Sequence, residues 1–506
     1  MLHDTRAARK RFTGTPASGR DGTTLVLERN QYDTAGRLIR QTNALGGVTT
    51  WTYGTTAEGG RQVTITDPYD GTRIESYYRD GSLKSISGTA AFPESFKYGA
   101  ELGQTWTRSI KGDFDSSERV ETWHDMLGRT VRTRYSGGAE AFQFYDSGGR
   151  QIRSVDPDGV QTLYTYDPEG SLALTVVDMD QDGEVDGAGP DRIRRQVRDV
   201  YFADGRQWER TLLWETNDLN QGVLVSEQRV SLVDDGPETH VSIQYGRVTT
   251  TVIRRVPAQQ QRLVTVMHPD GSVTEQLYTN GLLARISRWA DSSRTTLLSR
   301  TDYAYDPHDR QAQVIDARNG LTLHIYNAAD LVVQTIQPDP DGAGPLTQRT
   351  TTWTYDALLR ATNVTYPGGR WQRTRYTPQG LVQKTWGMSA WPVEYGYDHA
   401  GRLTNMVTWQ QFDLYSGQGT GGQARTAWLY DTNRGWLVAK WYADPSTGVP
   451  SASRAVQYTW TPAGRLAGRR WTRGVVTTYG YNAAGELETV HYSDGTPGYT
   501  NRYDRR

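Results

Sequence analysis

Apolar and polar residues alternate along most of this chain, in short runs cut by tight turns. Leu321-Thr322-Leu323-His324-Ile325 is one such run, apolar at every second position, the pattern of a half-buried strand. No segment sustains a helical period. The runs return on a fixed step: Tyr355, Tyr376 and Tyr397 stand 21 residues apart, and each opens a turn, such as Asp398-His399-Ala400-Gly401-Arg402. A second turn, Tyr366-Pro367-Gly368-Gly369-Arg370, falls between the first two. One period therefore holds two strands and two turns, which is a β-hairpin with its link to the next. A period of this length predicts a stacked repeat architecture. The expected fold class is all-β, with repeated β-hairpins in one continuous spiralling sheet.

In chain order, residues 1–30 are basic and Gly-rich and are expected to be loosely ordered. Residues 31–206 carry the repeat from Tyr32-Asp33-Thr34-Ala35-Gly36-Arg37-Leu38 onward, with an acidic insertion at 178–191. Residues 207–277 lose the Tyr-led unit but keep β-branched runs such as Val248 to Val256, and read as degenerate hairpins of the same sheet. Regular repeats return over 278–506, and Tyr503-Asp504 opens a unit that the chain does not finish, the expectation for a fragment of something longer.

The turn chemistry agrees. Asp-Gly or Asn-Gly occurs 13 times, a dipeptide suited to hairpin turns with positive φ at both central residues. In the Tyr-Asp-x-x-Gly-Arg unit, Asp can bond the turn backbone, Gly can take the left-handed position, and Arg can stack on a neighbouring Tyr. A lone hairpin is marginal in water, so each unit depends on its neighbours. About 15 hairpins at ~4.8 Å per strand make a ribbon on the order of 145 Å wide. Such a sheet must curl around a cavity or trough, because its twist has a fixed hand.

Composition narrows the function more than it defines it. The chain has 30 Tyr and 16 Trp but only 8 Phe among 506 residues. That balance suits surfaces that are apolar in body and wet at the edge. Net charge is −1, and no basic stripe of the kind that binds nucleic acid stands out beyond Arg6 to Arg11. Without cysteine there is no disulfide and no thiolate metal site. No apolar run approaches the ~20 residues that span a bilayer, and residues 1–13 lack the apolar centre of a signal peptide.

The Tyr-Asp-x-x-Gly-Arg-Leu units at 32–38 and 397–403, with partial copies at 145–150, 464–466 and 481–487, resemble the YD repeats of the rearrangement-hotspot (Rhs)/YD-repeat family. That family includes bacterial polymorphic toxins, cage proteins of toxin complexes and teneurin-like surface proteins. The resemblance implies a hairpin strip spiralling into a hollow shell, secreted or at the bacterial cell surface. In toxin members the shell encloses a C-terminal toxic domain freed by self-cleavage after the repeats. Asp156-Pro157-Asp158-Gly159 is superficially close to such a cleavage signature, but it lies mid-array and reads as a turn. The implied role is a non-catalytic scaffold, with a polypeptide cargo or adjoining repeats of a longer chain as partners. The alternative is a surface adhesion module whose aromatic residues bind carbohydrate or protein, against cross-strand aromatic ladders as the plainer use of those rings.

The sharpest local chemistry is Asp178-Met179-Asp180-Gln181-Asp182-Gly183-Glu184-Val185-Asp186. Carboxylates at alternate positions with Gly at the sixth follow the Ca²⁺-loop template. The candidate metal ligands are Asp178, Asp180, Asp182, Glu184 and Asp186. Position 12 is Gly189 rather than the bidentate Glu, with Asp191 nearby, and no helices flank the loop. Ca²⁺ and a solvated acidic loop are therefore both open readings. Gly417 to Gly422 matches GxGxxG formally, but without a strand-to-helix setting it reads as a hairpin loop. The eight His are scattered, and no catalytic constellation appears.

Overall fold

The computed structural model describes residues 7–8, 22–216, 223–232, 237–342, 344 and 347–503. Most of the basic N-terminal segment, the Asp235-Gly236 turn and Asp504 to Arg506 lie outside these residues. The strands form one 40-stranded sheet. Neighbours pair antiparallel from Ala7–Ala8 against Glu28–Tyr32 through to Leu487–Tyr492 against Tyr499–Thr500. Residues 206–279 continue the same sheet without a break in pairing among the described strands. Helical geometry among the described residues is confined to two single turns, Pro257–Gln259 and Pro367–Gly369.

Forty strands at ~4.8 Å give a strip of about 190 Å, longer than the Tyr-led units alone predict, because hairpins without the motif also add strands. The strip does not lie flat. Asn43 Nδ2 donates to the carbonyl of Ala357, Gln379 Nε2 to that of Thr89, and Ser117 Oγ to that of Thr432. Such contacts join residues from 284 to 315 positions apart. The turn after the thirteenth strand meets the turn after the thirty-sixth, 23 strands on. One revolution of 23 strands has a circumference of about 110 Å and a diameter of about 35 Å. With side chains filling ~5 Å on the inner face, a lumen about 25 Å across remains. Two successive coils thus meet edge to edge along a seam.

A hollow wall should expose far more surface than a solid body, and it does. The chain exposes 29162 Å², whereas a compact protein of 56.8 kDa exposes roughly 19,000 Å² by the size scaling. A buried apolar cluster is local: Leu163, Val176 and Ile193, with Leu174 and Val185 against them.

The repeat unit has a physical explanation. Asp33 Oδ1 accepts the amides of Ala35 and Arg37 at 2.9 Å, Arg37 Nε donates to Asp33 Oδ2 at 2.7 Å, and Gly36 takes φ 77°. Asp125, Asp146, Asp306, Asp356 and Asp398 hold their turns the same way. The clamped guanidinium then lies over the Tyr of the next unit: Arg37 on Tyr53, Arg150 on Tyr166 and Arg360 on Tyr376, at 4.5 to 4.8 Å. That Tyr hydroxyl reaches back 15 residues to a backbone carbonyl, as Tyr53 does to Leu38, Tyr376 to Ala361 and Tyr481 to Leu466. Trp460 Nε1 reaches back 23 residues to Leu437 in the same role. Each unit is tied to its predecessor by a cation–π contact of about 0.5–1 kcal/mol and a hydrogen bond of about 1 kcal/mol.

The turns differ from expectation in type. Only Asp204-Gly205 and Asn280-Gly281, among the described Asp/Asn-Gly pairs, have both residues at positive φ. In most others Gly alone takes positive φ, as at Asp80-Gly81 and Asp158-Gly159. The closing bonds, Tyr78 N to Ser82 O and Gly81 N to Tyr78 O, make a longer loop that carries a bulge. The bulge shifts register at the repeat Tyr, between Ser76 and Tyr77 for example. At Leu359 the left-handed position (φ 65°) is held by leucine. Leu359→Gly is expected to stabilise the protein by about 1 kcal/mol, read as a higher denaturation midpoint; a lower midpoint would mean that Leu359 packing outweighs its strain.

Candidate functional site

Two places gather chemistry: the seam and the acidic loop. The seam joins one edge of the first coil to the Tyr-Asp turns of the second. Its firmest point is the turn Asp156-Pro157-Asp158-Gly159. Arg465, from the turn Thr461 to Arg465, places one guanidinium nitrogen 2.6 Å from Asp156 Oδ2 and another against Asp158 Oδ2. Asp158 also accepts Thr461 Oγ1 at 2.7 Å and the amide of Ala463 at 2.9 Å. Burial pushes the Asp158 carboxyl up, but these bonds and the Arg465 charge more than offset it, so it lies below the usual carboxylate range. The tetrapeptide read from sequence as a turn is one, and it also clasps the next coil.

Three further contacts extend the seam. Arg402 lies 2.9 Å from Glu118 while holding Asp398, Arg192 bonds Glu486 at 2.5 Å, and Arg434 stacks on Tyr135 at 4.0 Å. Arg402, which organises a Tyr-Asp turn within its own coil, therefore also reaches across to the previous one. Gly47 marks a steric limit: a Cβ there would sit 2.1 Å from the Ala357 carbonyl oxygen.

The acidic loop sits on the Leu163, Val176 and Ile193 cluster. Asp178 and Asp191 are fully buried and act first on the backbone. Asp178 accepts the amides of Gln181 and Gly183, and Asp191 accepts those of Met179 and Asp186. Carboxylate oxygens of Asp178, Asp180 and Asp191 lie within 4.8 Å of one another, as do those of Asp180, Asp182 and Asp186. Glu184 joins neither group. Burial first, then the charges of Asp182, Asp180, Asp191 and Glu184, push the Asp186 carboxyl up. Hard oxygen donors of this kind fit Ca²⁺. Asp191, outside the candidate set, is the member that the sequence template undervalued.

Gly417 closes a long hairpin, its amide bonded to the carbonyl of Asp413, and the run to Gly422 continues as strand Gln418–Tyr430. No helix among the described residues is long and apolar enough to cross a membrane.

Comparison with known proteins supports the same architecture. The RHS Repeat family matches residues 32–74 and 145–178. No curated protein matches the sequence. Among solved structures, "TcdB2-TccC3 without hypervariable C-terminal region" is similar at 12% identity and a TM-score of 0.54, over 93% of this chain and 26% of that one. TcdB2-TccC3 itself aligns at 14% identity and a TM-score of 0.37, over 94% of this chain and 33% of that one. The chain thus spans about a quarter to a third of these proteins' length. Residues 32–74 and 145–178 thus carry RHS repeats, and the chain as a whole shares the all-β hairpin-strip fold of a toxin-complex structure.

Proposed function

We propose that the chain is a non-catalytic wall: a segment of β-shell that encloses or presents a polypeptide, carried in an exported or surface-associated protein. The observation behind this reading is the seam, which turns a strip of marginal hairpins into a coiled wall around a lumen about 25 Å across. A lumen of that width admits an extended chain or a small folded unit. The test is protection. A protease-sensitive tracer appended after Arg506 should be cut at least tenfold more slowly than the free tracer, and equal rates would end the enclosing role.

Ca²⁺ at the acidic loop is a second proposal, with Asp178, Asp180, Asp182, Asp186 and Asp191 as its oxygen donors and Glu184 outside. Bound ion would neutralise a loop that carries repelling carboxylates and fix its span between two strands. At a free concentration 100-fold above Kd, Ca²⁺ is expected to raise stability by about 2.7 kcal/mol. Calorimetric titration should give saturable heat that Asp180→Asn with Asp182→Asn abolishes. No heat in the unaltered protein would remove the ion from the account.

A further inference from the structure

We propose that this chain assembles head to tail with further copies of itself, a free rim of one copy docking on the opposite free rim of the next. Successive strands end alternately at two rims. Tyr-Asp turns line one, as at 33–37, 146–150 and 398–402, and return turns line the other, as at 67–71 and 471–475. The seam sets a Tyr-Asp rim on a return rim. Its step recurs: the turns after the seventh, thirteenth and fifteenth strands meet those after the thirtieth, thirty-sixth and thirty-eighth. Because the coils are built of like hairpins at one spacing, the Tyr-Asp rim of one coil matches the return rim of another. The seam uses one rim of each coil. The Tyr-Asp rim of the first and the return rim of the second are left over.

The leftover rims carry the chemistry of the seam. There, arginines of Tyr-Asp turns reach carboxylates of the return rim, Arg402 to Glu118 and Arg465 to Asp156, and their side chains are 21% and 23% exposed. On the leftover Tyr-Asp rim the equivalent Arg37, Arg129 and Arg150 are 54%, 27% and 44% exposed. The leftover return rim presents Asp413, Asp444 and Asp494, one in each of three turns, so these charges are complementary. Both rims also expose large apolar side chains: Leu102, Met126 and Leu127 on the first, Met388, Tyr415 and Val449 on the second. Leu102 lines one cavity with Asp125 and Arg129, which draws the first three into a single patch. Scattered exposed apolar residues are ordinary, but a patch bordered by charge marks a contact surface. Contact between unlike rims is heterologous, and a screw-related coil does not close on itself, so copies add without a fixed limit. The inference extends the coiled wall but rests on its rims, not on an enclosed cargo.

The test is mass against concentration. By sedimentation velocity, the full chain should pass the mass of a dimer by about 100 μM, as expected for a Kd of about 10 μM or tighter. Leu127→Asp blocks one rim and Tyr415→Asp the other, since each sets a charge into an apolar contact. Either variant alone should sediment as a monomer. Mixed in equal amounts, they should form a dimer and stop there, because each keeps the rim that the other has lost. Leu102→Asp with Val449→Asp repeats the mixing should either first variant fail to fold. A chain that stays monomeric to about 100 μM would overturn the proposal and leave the rims to other repeats. So would a closed dimer that neither substitution disturbs, or a mixture that remains monomeric. Tracer protection is read on dilute monomer, so its failure and the failure of assembly are told apart.

Discussion

Replacing Gly47 with valine is expected to part the two coils at Ala357. Its backbone φ lies outside the left-handed range, so a side chain adds no local strain. The obstacle is across the seam: the added Cβ would meet the Ala357 carbonyl oxygen at 2.1 Å and Asn43 Nδ2 at 2.7 Å. A backbone oxygen cannot swing aside as a side-chain end does. The bond from Asn43 Nδ2 to that oxygen, 2.7 Å long, would go with it. Overpacking of about 1–3 kcal/mol plus a lost hydrogen bond of about 1 kcal/mol should raise hydrogen exchange at 356–360 more than tenfold. The hairpin at 461–465, far along the seam, serves as the internal reference. Unchanged exchange at 356–360 would show that the coils do not touch there.

Arg465→Ala should have an effect of similar size at the other end of the seam. It leaves Asp156 and Asp158 facing each other without their shared cation. A fully buried pair broken in this way costs about 3–5 kcal/mol, and partial exposure of these groups lowers the expectation to about 2–3 kcal/mol. Arg465→Lys should rescue only part, since an ammonium cannot fork to two carboxylates. Acid should mimic the substitution. A carboxyl held below its unfolded value stabilises the fold above that value, and the gain is lost as pH falls through the lower one. Asp158 and, at the neighbouring contact, Glu486 are both lowered in this sense. Exchange at 461–465 should therefore rise as pH drops from about 5, and Arg465→Ala should flatten that rise. A pH profile identical in both proteins would remove the clasp from the account.

Local physics was legible in the sequence, and long-range geometry was not. The 21-residue step, the Asp-held turn, the left-handed Gly and the Arg–Tyr stack each involve residues close in the chain, so spacing alone points to them. Turn type was misjudged because Asp-Gly serves two loop lengths. The choice lies in which upstream residue bonds the turn, as Tyr78 does with Ser82. The seam left no local mark. Arg465 and Asp158 are 307 residues apart, and they meet only because curvature brings each coil round after 23 strands. In the acidic loop the carboxylate pattern was plain. The division of labour was not: Asp178 and Asp191 hold backbone amides from buried positions, a role no periodic template encodes.

The chain has no cysteine, which makes the coil directly testable. Ser117→Cys with Thr432→Cys places two thiols where Ser117 Oγ now donates to the Thr432 carbonyl at 2.7 Å, 315 residues along the chain. Treated with a short bis-maleimide, the monomeric double variant should join these two positions in one chain, read by mass spectrometry of the linked peptides. Labelling of both cysteines with no link between them, while a pair across the hairpin Gln228 and Ser242 links normally, would contradict the coiled wall.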